Sequence, residues 1–246
     1  MNLVFIRHGL SKWNVENRFT GWIDVPLAEE GEVEANNKAK NILEKELFTP
    51  DIIFTSYLKR AIQTAEILFQ EIPENFFIKD WRLNERHYGS LQGLNKKDTS
   101  EKYGETKVLE WRRSYRVVPP LLDEDSDFNP NHSELYKDVK DTLPLGESLE
   151  DVVNRVKPIL DTILSKSLNN NVAVVAHGNS IRAILKILDD ISDQDIIGVN
   201  IPTAVPIAYE IKSTSINRIG YLGDKDEILQ ATKEVAQQAL IENKED

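Results

Sequence analysis

Two histidines of this sequence stand directly after short apolar runs that are typical of buried β-strands. His8 follows the run 3–7 and His177 follows the run 172–176, and glycine is the next residue after each histidine. Ligands of open α/β sheets bind at the carboxyl ends of the strands, so we expect the two imidazoles to lie in one site. A neutral imidazole can move a proton or attack phosphorus, and the pair therefore indicates acid–base or phosphoryl-transfer chemistry.

Residues near the two histidines are suited to binding an anion. Arg7 and Arg60 can bind phosphate oxygens in a planar, bidentate manner. His177 can donate a hydrogen bond as charge spreads over the transferring group, and Gly178 and Asn179 would add N–H groups at a helix start. A single histidine at a strand end is more often a structural group, but two of them together with Arg60 favour an active site.

Strand-like and helix-like segments alternate along the chain. Strands are predicted at residues 3–7, 52–55, 76–79, 172–176 and 208–211. Helices are predicted at residues 29–46, 57–70 after Ser56 as N-cap, 148 to about 165 from a capping box, 180–188 and 224–244. This alternation predicts an α/β fold, a three-layer sandwich with a mostly parallel sheet.

The segment from about residue 82 to residue 145 departs from this alternation. It contains Trp111-Arg112-Arg113, two consecutive prolines and an acidic patch. We interpret the segment as an insertion over the edge of the sheet and not as a separate domain. The prediction is therefore a single domain over residues 1–246, in which residues 224–246 form a mobile C-terminal tail.

Composition narrows the classes of partner and cofactor. Because the net charge is −11, we expect no nucleic-acid partner. No apolar run reaches the length of a membrane span, so we expect no membrane-spanning segment. The chain has no cysteine and no signal-peptide pattern, which fits a cytoplasmic protein. The histidines lack metal-ligand spacing, and an EF-hand-like run at residues 123–134 has Phe128 where that loop requires glycine, so no metal site is predicted.

Longer strings of the sequence resemble the cofactor-dependent phosphoglycerate mutases of the histidine phosphatase superfamily. Arg7-His8-Gly9 matches the signature of the superfamily. The strings that resemble the mutases are residues 17–22 (NRFTGW), 55–61 (TSYLKRA), 83–89 (LNERHYG), 92–96 (QGLNK), 111–113 (WRR) and 176–180 (AHGNS). The likeness extends from Leu3 to about Glu227 and so covers nearly the whole chain.

The resemblance implies a role for each matching residue. His8 would be the phosphorylated nucleophile, Arg7, Arg60 and His177 would hold the transferring phosphoryl group, and Glu85 would exchange the proton. Substrate contacts would come from Ser11, Asn14, Thr20, Gly21, Tyr88, Lys96, Arg112, Arg113, Gly178 and Asn179. The implied reaction interconverts 3-phosphoglycerate and 2-phosphoglycerate, with 2,3-bisphosphoglycerate as the primer of His8, no metal, and a homodimer or homotetramer as the assembly.

The cations Lys96, Arg112 and Arg113 would also make the insertion a lid over the substrate. Without the resemblance, the basic run at residues 111–113 would be interpreted as a solvated turn. Three alternatives stay open beside the mutase: a bisphosphoglycerate mutase or synthase, a plain phosphatase, and a non-catalytic member that binds a phosphorylated ligand.

Two positions depart from the pattern of the resembling family. Leu10 stands where that family has an acidic or amide residue, and Ala204 stands where it has glycine. If position 204 requires a positive φ, alanine costs about 1 kcal/mol of backbone strain. Neither departure removes a group that the chemistry needs.

Overall fold

The structure, a computed structural model, describes residues 1–237. The strands are β1 Leu3–Arg7, β2 Ile52–Thr55, β3 Phe77–Lys79, β4 Val172–Ala176, β5 Pro206–Lys212 and β6 Ser215–Tyr221. The helices are α1 Lys12–Val15, α2 Glu29–Val33, α3 Lys40–Lys45, α4 Lys59–Leu68, α5 Lys96–Tyr103, α6 Glu105–Arg113, α7 Leu149–Ser167, α8 Gly178–Leu188 and α9 Lys225–Gln237. A π-helical segment, Glu34–Ala39, joins α2 to α3.

The six strands form one sheet in the order β3-β2-β4-β1-β5-β6. The first four strands in this order are parallel, whereas β5 runs antiparallel to β1 and β6 runs antiparallel to β5. Strands β1 and β4 occupy the centre, and Arg7 pairs with Ala176 at their carboxyl ends. The residues that follow this pair, His8 and His177, therefore leave the sheet side by side.

Helices cover both faces of the sheet because the central strands bury side chains on both sides. Leu3 and Phe5 belong to a core cluster shared with α7 and α8, whereas Val4 and Ile6 belong to a second cluster shared with α3 and α4. This alternation with a period of two residues assigns successive side chains of β1 to opposite layers. The predicted three-layer α/β sandwich with a mostly parallel sheet is confirmed.

Some element boundaries differ from the sequence prediction. Helix α4 begins at Lys59, and Leu58 rather than Ser56 occupies its N-cap position. Residues 74–76 form a 3₁₀ turn, so β3 begins one residue later than predicted. Strand β6 was not predicted, because its exposed face is polar. Helix α9 accounts for the first part of the predicted helix 224–244, of which residues 238–244 lie outside the described part of the chain.

The insertion consists of α5, α6 and several 3₁₀ turns, and it packs against residues that follow α1. Trp111 on α6 belongs to a small apolar cluster with Phe19, Leu91 and Val108. This packing buries Arg112 and Arg113 beside the carboxyl ends of the central strands. None of the helices in residues 1–237 combines the length and the apolar character of a membrane-spanning segment.

Candidate active site

The two strand-end histidines lie in contact at the carboxyl edge of the sheet. The ring centroids of His8 and His177 are 4.9 Å apart with an interplanar angle of 61°, and both side chains are buried. The parallel register of β1 and β4 produces this proximity, since each histidine is the first residue after its strand. The sequence expectation that these two imidazoles share a site agrees with this arrangement.

The hydrogen bonds of His8 define which of its nitrogens can react. Nδ1 lies 2.6 Å from the carbonyl oxygen of Gly9, which can only accept, so Nδ1 carries the proton and Nε2 has the free electron pair. Burial, and then the charges of Arg60 and Arg7, lower the pKa of His8 well below its usual value. His8 is therefore neutral near pH 7 and has a nucleophilic Nε2.

Arg60 and Arg7 are fixed by backbone carbonyls beside this nitrogen. Nε of Arg60 donates to Nε2 of His8 at 3.3 Å, and its two terminal nitrogens donate to the carbonyls of Ile23 and Gly21. Nη1 of Arg7 donates to the carbonyl of Ile201 at 2.7 Å, whereas its buried Nε has no partner. Burial lowers the pKa of Arg60 to about 10, which still leaves the guanidinium charged at neutral pH.

Glu85 is the one acidic side chain among the described residues that line the same pocket. Its Oε1 accepts from the backbone N–H of Arg86 at 2.7 Å and from that of Asn179 at 3.1 Å. The second of these N–H groups belongs to the first turn of α8, directly after His177. The carboxylate is thus held between the insertion and helix α8, which begins directly after His177.

The pocket around these groups is strongly cationic although the chain as a whole is acidic. Against the single carboxylate, its described lining includes seven basic side chains: Arg7, Arg18, Arg60, Lys96, Arg112, Arg113 and Arg182. Burial, and then the neighbouring arginine at position 112, lower the pKa of Lys96 well below its usual value. Such a concentration of partly desolvated cations is suited to an anion that carries more than one charged group.

The structure brings most of the sequence-predicted substrate residues to this pocket. Its lining includes Asn14, Thr20, Gly21, Tyr88, Lys96, Arg112, Arg113, Gly178 and Asn179. Ser11 does not line it; the Ser11 hydroxyl is buried as the N-cap of α1 and accepts from the backbone N–H of Asn14. His177 is also absent from the lining, because it lies fully buried behind the pocket surface.

The sequence prediction did not include three residues of this site: Arg182 and Arg18, which line the pocket, and Ser56, which contacts His177. Nη1 of Arg182 donates to Oδ1 of Asn179 at 2.8 Å, which turns the amide nitrogen of Asn179 toward the hydroxyl of Tyr88. Burial, and then Arg113, lower the pKa of Arg182 to about 9. Its position three residues after Asn179 on a helix was a usable signal, because residues i and i+3 share a face.

The C-terminal helix reaches the outer part of the pocket. Val235 on α9 lines it, and Nη2 of Arg113 donates to the carbonyl of Val235 at 3.1 Å. Part of the segment expected to be a mobile tail is therefore helical and in contact with the predicted lid, whereas residues 238–246 lie outside the described part of the chain.

The carboxylate of Glu34 joins two loops beside the histidines. It accepts from the backbone N–H of Leu10 at 3.0 Å and from the hydroxyl of Thr203 at 3.2 Å. Ala204 has a φ of +51°, so the strain expected for alanine at this position is present, and its N–H donates to the carbonyl of Arg7. These contacts fix the backbone on both sides of the strand end that holds His8.

Comparison with known proteins agrees with this arrangement. The sequence matches the model of the histidine phosphatase superfamily, branch 1, over residues 3–128 and 122–230. The chain belongs to the histidine phosphatase superfamily. Among curated members of this superfamily, the chain is 44% identical to a 2,3-bisphosphoglycerate-dependent phosphoglycerate mutase of Lachnoclostridium phytofermentans, over 98% of this chain and 99% of that protein. It is 46% identical to a protein of the same name from Elusimicrobium minutum, over 96% and 98% of the two chains.

Solved structures of the superfamily share the fold. A mycobacterial glucosyl-3-phosphoglycerate phosphatase is similar with a TM-score of 0.67 and 23% identity, over 90% of this chain and 98% of that chain. An alpha-ribazole phosphatase from Shigella flexneri is similar with a TM-score of 0.66 and 19% identity, over 91% and 96% of the two chains. At these identities the likeness supports the fold of this superfamily member and carries no statement about its substrate.

Proposed function

We propose that this superfamily member is a 2,3-bisphosphoglycerate-dependent phosphoglycerate mutase. It is an isomerase that interconverts 3-phosphoglycerate and 2-phosphoglycerate in glycolysis and gluconeogenesis. The observation that carries the proposal is the contact of His177 with His8, which lines a pocket with seven basic side chains and one carboxylate. Curated relatives at 44% and 46% identity over nearly the full length bear the mutase name, which supports the substrate.

The first chemical step belongs to His8. Nε2 attacks phosphorus, so that an N–P bond forms while the bond from phosphorus to the donor oxygen breaks. Arg7 and Arg60 bind the oxygens of the transferring group, and the charge that spreads over them in the transition state is stabilised by these preorganised donors. Nε of Arg60 donates a hydrogen bond to Nε2 of His8 in the unliganded site. This hydrogen bond must break before the electron pair of Nε2 can attack phosphorus.

The proton of the reaction is assigned to Glu85. When His8 returns the phosphoryl group to a substrate hydroxyl, the Glu85 carboxylate takes the hydroxyl proton, and in the reverse direction it gives the proton back. The two backbone N–H groups on Oε1 hold the carboxylate in place during both directions. No other described acidic side chain lines the pocket and is available for this role.

The charge distribution of the pocket fits 2,3-bisphosphoglycerate, which has two phosphates and a carboxylate. Arg7 and Arg60 lie beside the histidines, and Lys96, Arg112 and Arg113 supply a second group of cations from the insertion. When bound, 2,3-bisphosphoglycerate supplies the phosphoryl group that primes His8. No group of three or more candidate metal-ligating side chains occurs in residues 1–237, and the proposal includes no metal.

The proposal extends to the organisation of the molecule. The chain is a single domain in which about residues 82–145 act as a lid, and helix α9 contacts this lid at Arg113. The buried position of Arg112 and Arg113, together with the contact from Arg113 to α9, supports this role. A cytoplasmic location and a homodimer or homotetramer are the expected setting, by resemblance to the mutase family.

One experiment tests the function. Purified protein is assayed with 3-phosphoglycerate, with and without 2,3-bisphosphoglycerate, while formation of 2-phosphoglycerate and release of inorganic phosphate are followed separately. We expect rapid isomerisation that depends on priming, and little phosphate release. His8→Ala should abolish isomerisation together with the acid-labile phosphoryl adduct. Phosphate release without isomerisation would assign a phosphatase instead, and no reaction at all would assign a non-catalytic member.

A further inference from the structure

An ion pair outside the pocket lining contacts the segment that contains Glu85. Glu147 directly precedes Ser148, the N-cap of α7, and Arg155 lies on the second turn of that helix. Nε of Arg155 donates to Oε1 of Glu147 at 2.6 Å, and Nη2 lies 3.0 Å from Oε2 of the same carboxylate. The two side chains are only 8% and 2% exposed, and neither lines the pocket.

The segment around Glu85 has no regular structure that would fix its backbone. Residues 84–88 belong to no helix or strand and lie between the 3₁₀ turns Trp81–Leu83 and Gly89–Leu91. A buried carbonyl or N–H group without a hydrogen bond is costly, so the polar backbone groups of this segment need partners from other parts of the chain.

Arg155 supplies hydrogen-bond donors on the N-terminal side of this segment. Its Nη1 donates to the carbonyl of Arg82 at 2.6 Å. Its Nη2 lies 3.0 Å from the carbonyl oxygen of Asn84 and 2.9 Å from that of Glu85, so the N–H groups of this nitrogen are shared between the two carbonyls and the carboxylate of Glu147. The planar guanidinium can serve these acceptors together because its N–H groups form a rigid fork, which a lysine ammonium lacks.

Glu147 supplies the contacts on the C-terminal side of the segment. Its Oε2 accepts from the backbone N–H of His87 at 2.8 Å, and its own backbone N–H donates to the carbonyl of His87 at 2.9 Å. Helix α7 itself is packed on the sheet, because Val152 and Val156 belong to the core cluster that includes Leu3. The ion pair thus connects the backbone on both sides of position 85 to a helix of the core.

We propose that Arg155 is a positioning residue for Glu85: together with Glu147 it fixes the backbone of residues 82–87, so that the Glu85 carboxylate lies where it can exchange the proton of the substrate hydroxyl. This role rests on the proposed function, which assigns the proton exchange to Glu85. The restraint of the backbone does not rest on that function, because it is a property of the protein without substrate.

Arg155→Lys tests the role with little risk to folding. The lysine keeps a cation beside Glu147, so no buried carboxylate is left unpaired, but it cannot serve the same set of carbonyls. A displacement of about 1 Å in a catalytic group can cost about 100-fold in rate, and we expect kcat to fall by about 10- to 100-fold. KM should stay within about twofold of the wild-type value, since the restraint acts on the acid–base group.

A double-variant cycle with Glu85→Gln shows whether the effect passes through Glu85. In the Glu85→Gln background no proton exchange remains to be lost, so adding Arg155→Lys should lower the residual kcat by less than about twofold. Equal losses of kcat in both backgrounds would overturn the proposal and make the ion pair a general structural element. A higher KM with an unchanged kcat would overturn it as well, because the pair would then act on substrate binding.

Amide hydrogen exchange, followed by NMR spectroscopy, measures the restraint in the unliganded protein. The backbone N–H groups of Arg86 and His87 donate to the carboxylates of Glu85 and Glu147. We expect Arg155→Lys to speed their exchange by about tenfold or more, whereas the N–H of Ile181 on α8 exchanges as in the wild type. An equal acceleration at all three positions would show a global loss of stability and contradict the proposal.

Two control variants and one further variant complete the test. Arg116→Lys is the matched control, because Arg116 pairs with Glu150 on the same helix but is 72% exposed, and we expect no change in kcat or exchange. Ile163→Val weakens the packing of α7 away from the segment and should also leave kcat unchanged. Arg155→Met combined with Glu147→Leu removes both charges and should reproduce the loss of kcat if Arg155→Lys does not fold.

The outcomes separate this inference from the proposed function. An inactive wild type in which Arg155→Lys speeds exchange at Arg86 and His87 alone would contradict the function and leave the restraint intact. An active wild type and an equally active Arg155→Lys would contradict the inference and leave the mutase function intact.

Discussion

Oε1 of the Glu85 carboxylate is held by two backbone N–H groups, those of Arg86 and Asn179. A glutamine at this position can accept the same two hydrogen bonds but cannot exchange a proton. The substitution therefore separates the positioning of the side chain from its acid–base role.

We predict that Glu85→Gln lowers kcat by about 100-fold or more, the usual contribution of one general acid or base. The melting temperature should stay close to that of the wild type, since both backbone hydrogen bonds persist. The measurement is steady-state isomerisation together with thermal unfolding. An unchanged kcat with a lower melting temperature would make Glu85 a structural group.

Glu34 has a different task, because it contacts the backbone near His8 and not the pocket. Burial raises the pKa of Glu34, and its hydrogen bonds from Leu10 and Thr203 oppose this shift. A Cβ on the nearby Gly9 would lie 2.3 Å from the carbonyl oxygen of Gly31, so the loop has no room to rearrange. The Glu34 carboxylate is therefore one of the groups that fix the local backbone beside His8.

We predict that Glu34→Ala destabilises the fold by about 1–3 kcal/mol, because it leaves the Leu10 N–H and the Thr203 hydroxyl unsatisfied. Glu34→Gln is the matched variant, since its amide can serve both partners, and we expect it to lose less than half as much. Urea denaturation of both variants makes the comparison. Equal losses in the two would mean that the charge near Arg7, and not the hydrogen bonding, is what stabilises the loop.

Individual site residues differed in how far the sequence could reveal them. His8 and His177 were identifiable because strand ends position whatever follows them, and Arg60 was identifiable at another strand–helix junction. Ser56 was interpreted as a helix cap, which a serine before a helix pattern ordinarily is. Its contact with His177 depends on the parallel pairing of β2 with β4, and no local pattern encodes which strands become neighbours.

At the scale of elements, helix α6 connects the insertion to the pocket. Its last two residues, Arg112 and Arg113, are buried, and Nη2 of Arg86 donates to the carbonyl of Arg112 at 2.9 Å. The same helix has Lys107 on its exposed face, where it forms an ion pair with Glu110. Helix α6 thus has buried cations to substitute, Arg112 and Arg113, and an exposed cation, Lys107, as a control.

We predict that replacing both Arg112 and Arg113 with alanine raises KM and increases phosphate release relative to isomerisation. Charged hydrogen bonds are worth about 1.5–3 kcal/mol each, so the loss of both arginines should raise KM by about 100-fold or more. Phosphorylation of His8 should persist in part, because Arg7 and Arg60 remain. Lys107→Ala should change neither quantity. An unchanged ratio and KM in the double variant would remove the lid assignment.

Elements with a clear period were predictable, and elements decided by their neighbours were not. Strand β1 was predicted to the residue because four consecutive apolar side chains, at residues 3–6, are followed by Arg7, the last residue of the strand. Strand β6 is an edge strand with mostly exposed residues, so it lacks the apolar pattern of a buried strand and depends on pairing with β5. The π-helical segment 34–39 preserves the general helical pattern, and for that reason the sequence predicted one continuous helix there.

At the scale of the whole molecule, three buried histidines connect stability to pH. Burial lowers the pKa of His87 to about 3, with a smaller contribution from Arg155, and burial lowers the pKa values of His8 and His177 as well. The unfolded chain binds protons at these residues near the ordinary histidine pKa, whereas the folded chain does not. Stability contributed by the neutral rings is therefore present above about pH 6.5 and decreases as the pH falls below it.

We predict that the free energy of unfolding falls by about 2 kcal/mol for each of these histidines between pH 7 and pH 5. His87→Gln retains an acceptor for the Gly89 N–H and removes one titrating ring, so its stability should fall by about 2 kcal/mol less over the same interval. Urea denaturation at both pH values gives the difference. Identical pH dependence in wild type and variant would mean that His87 titrates equally in the folded and unfolded states.

The central place of β1 has a consequence for how the protein is made. Residues 3–7 leave the ribosome early, yet their partners on both sides are β4 at residues 172–176 and β5 at residues 206–212. At about 5–20 residues per second, β1 waits roughly 10–40 s for its second neighbour. The lining of the pocket around His8 includes Asn179, Arg182, Ile201 and Val235, so the pocket is complete only when translation is nearly finished. Until then one edge of this apolar strand has no partner and is open to non-native contacts.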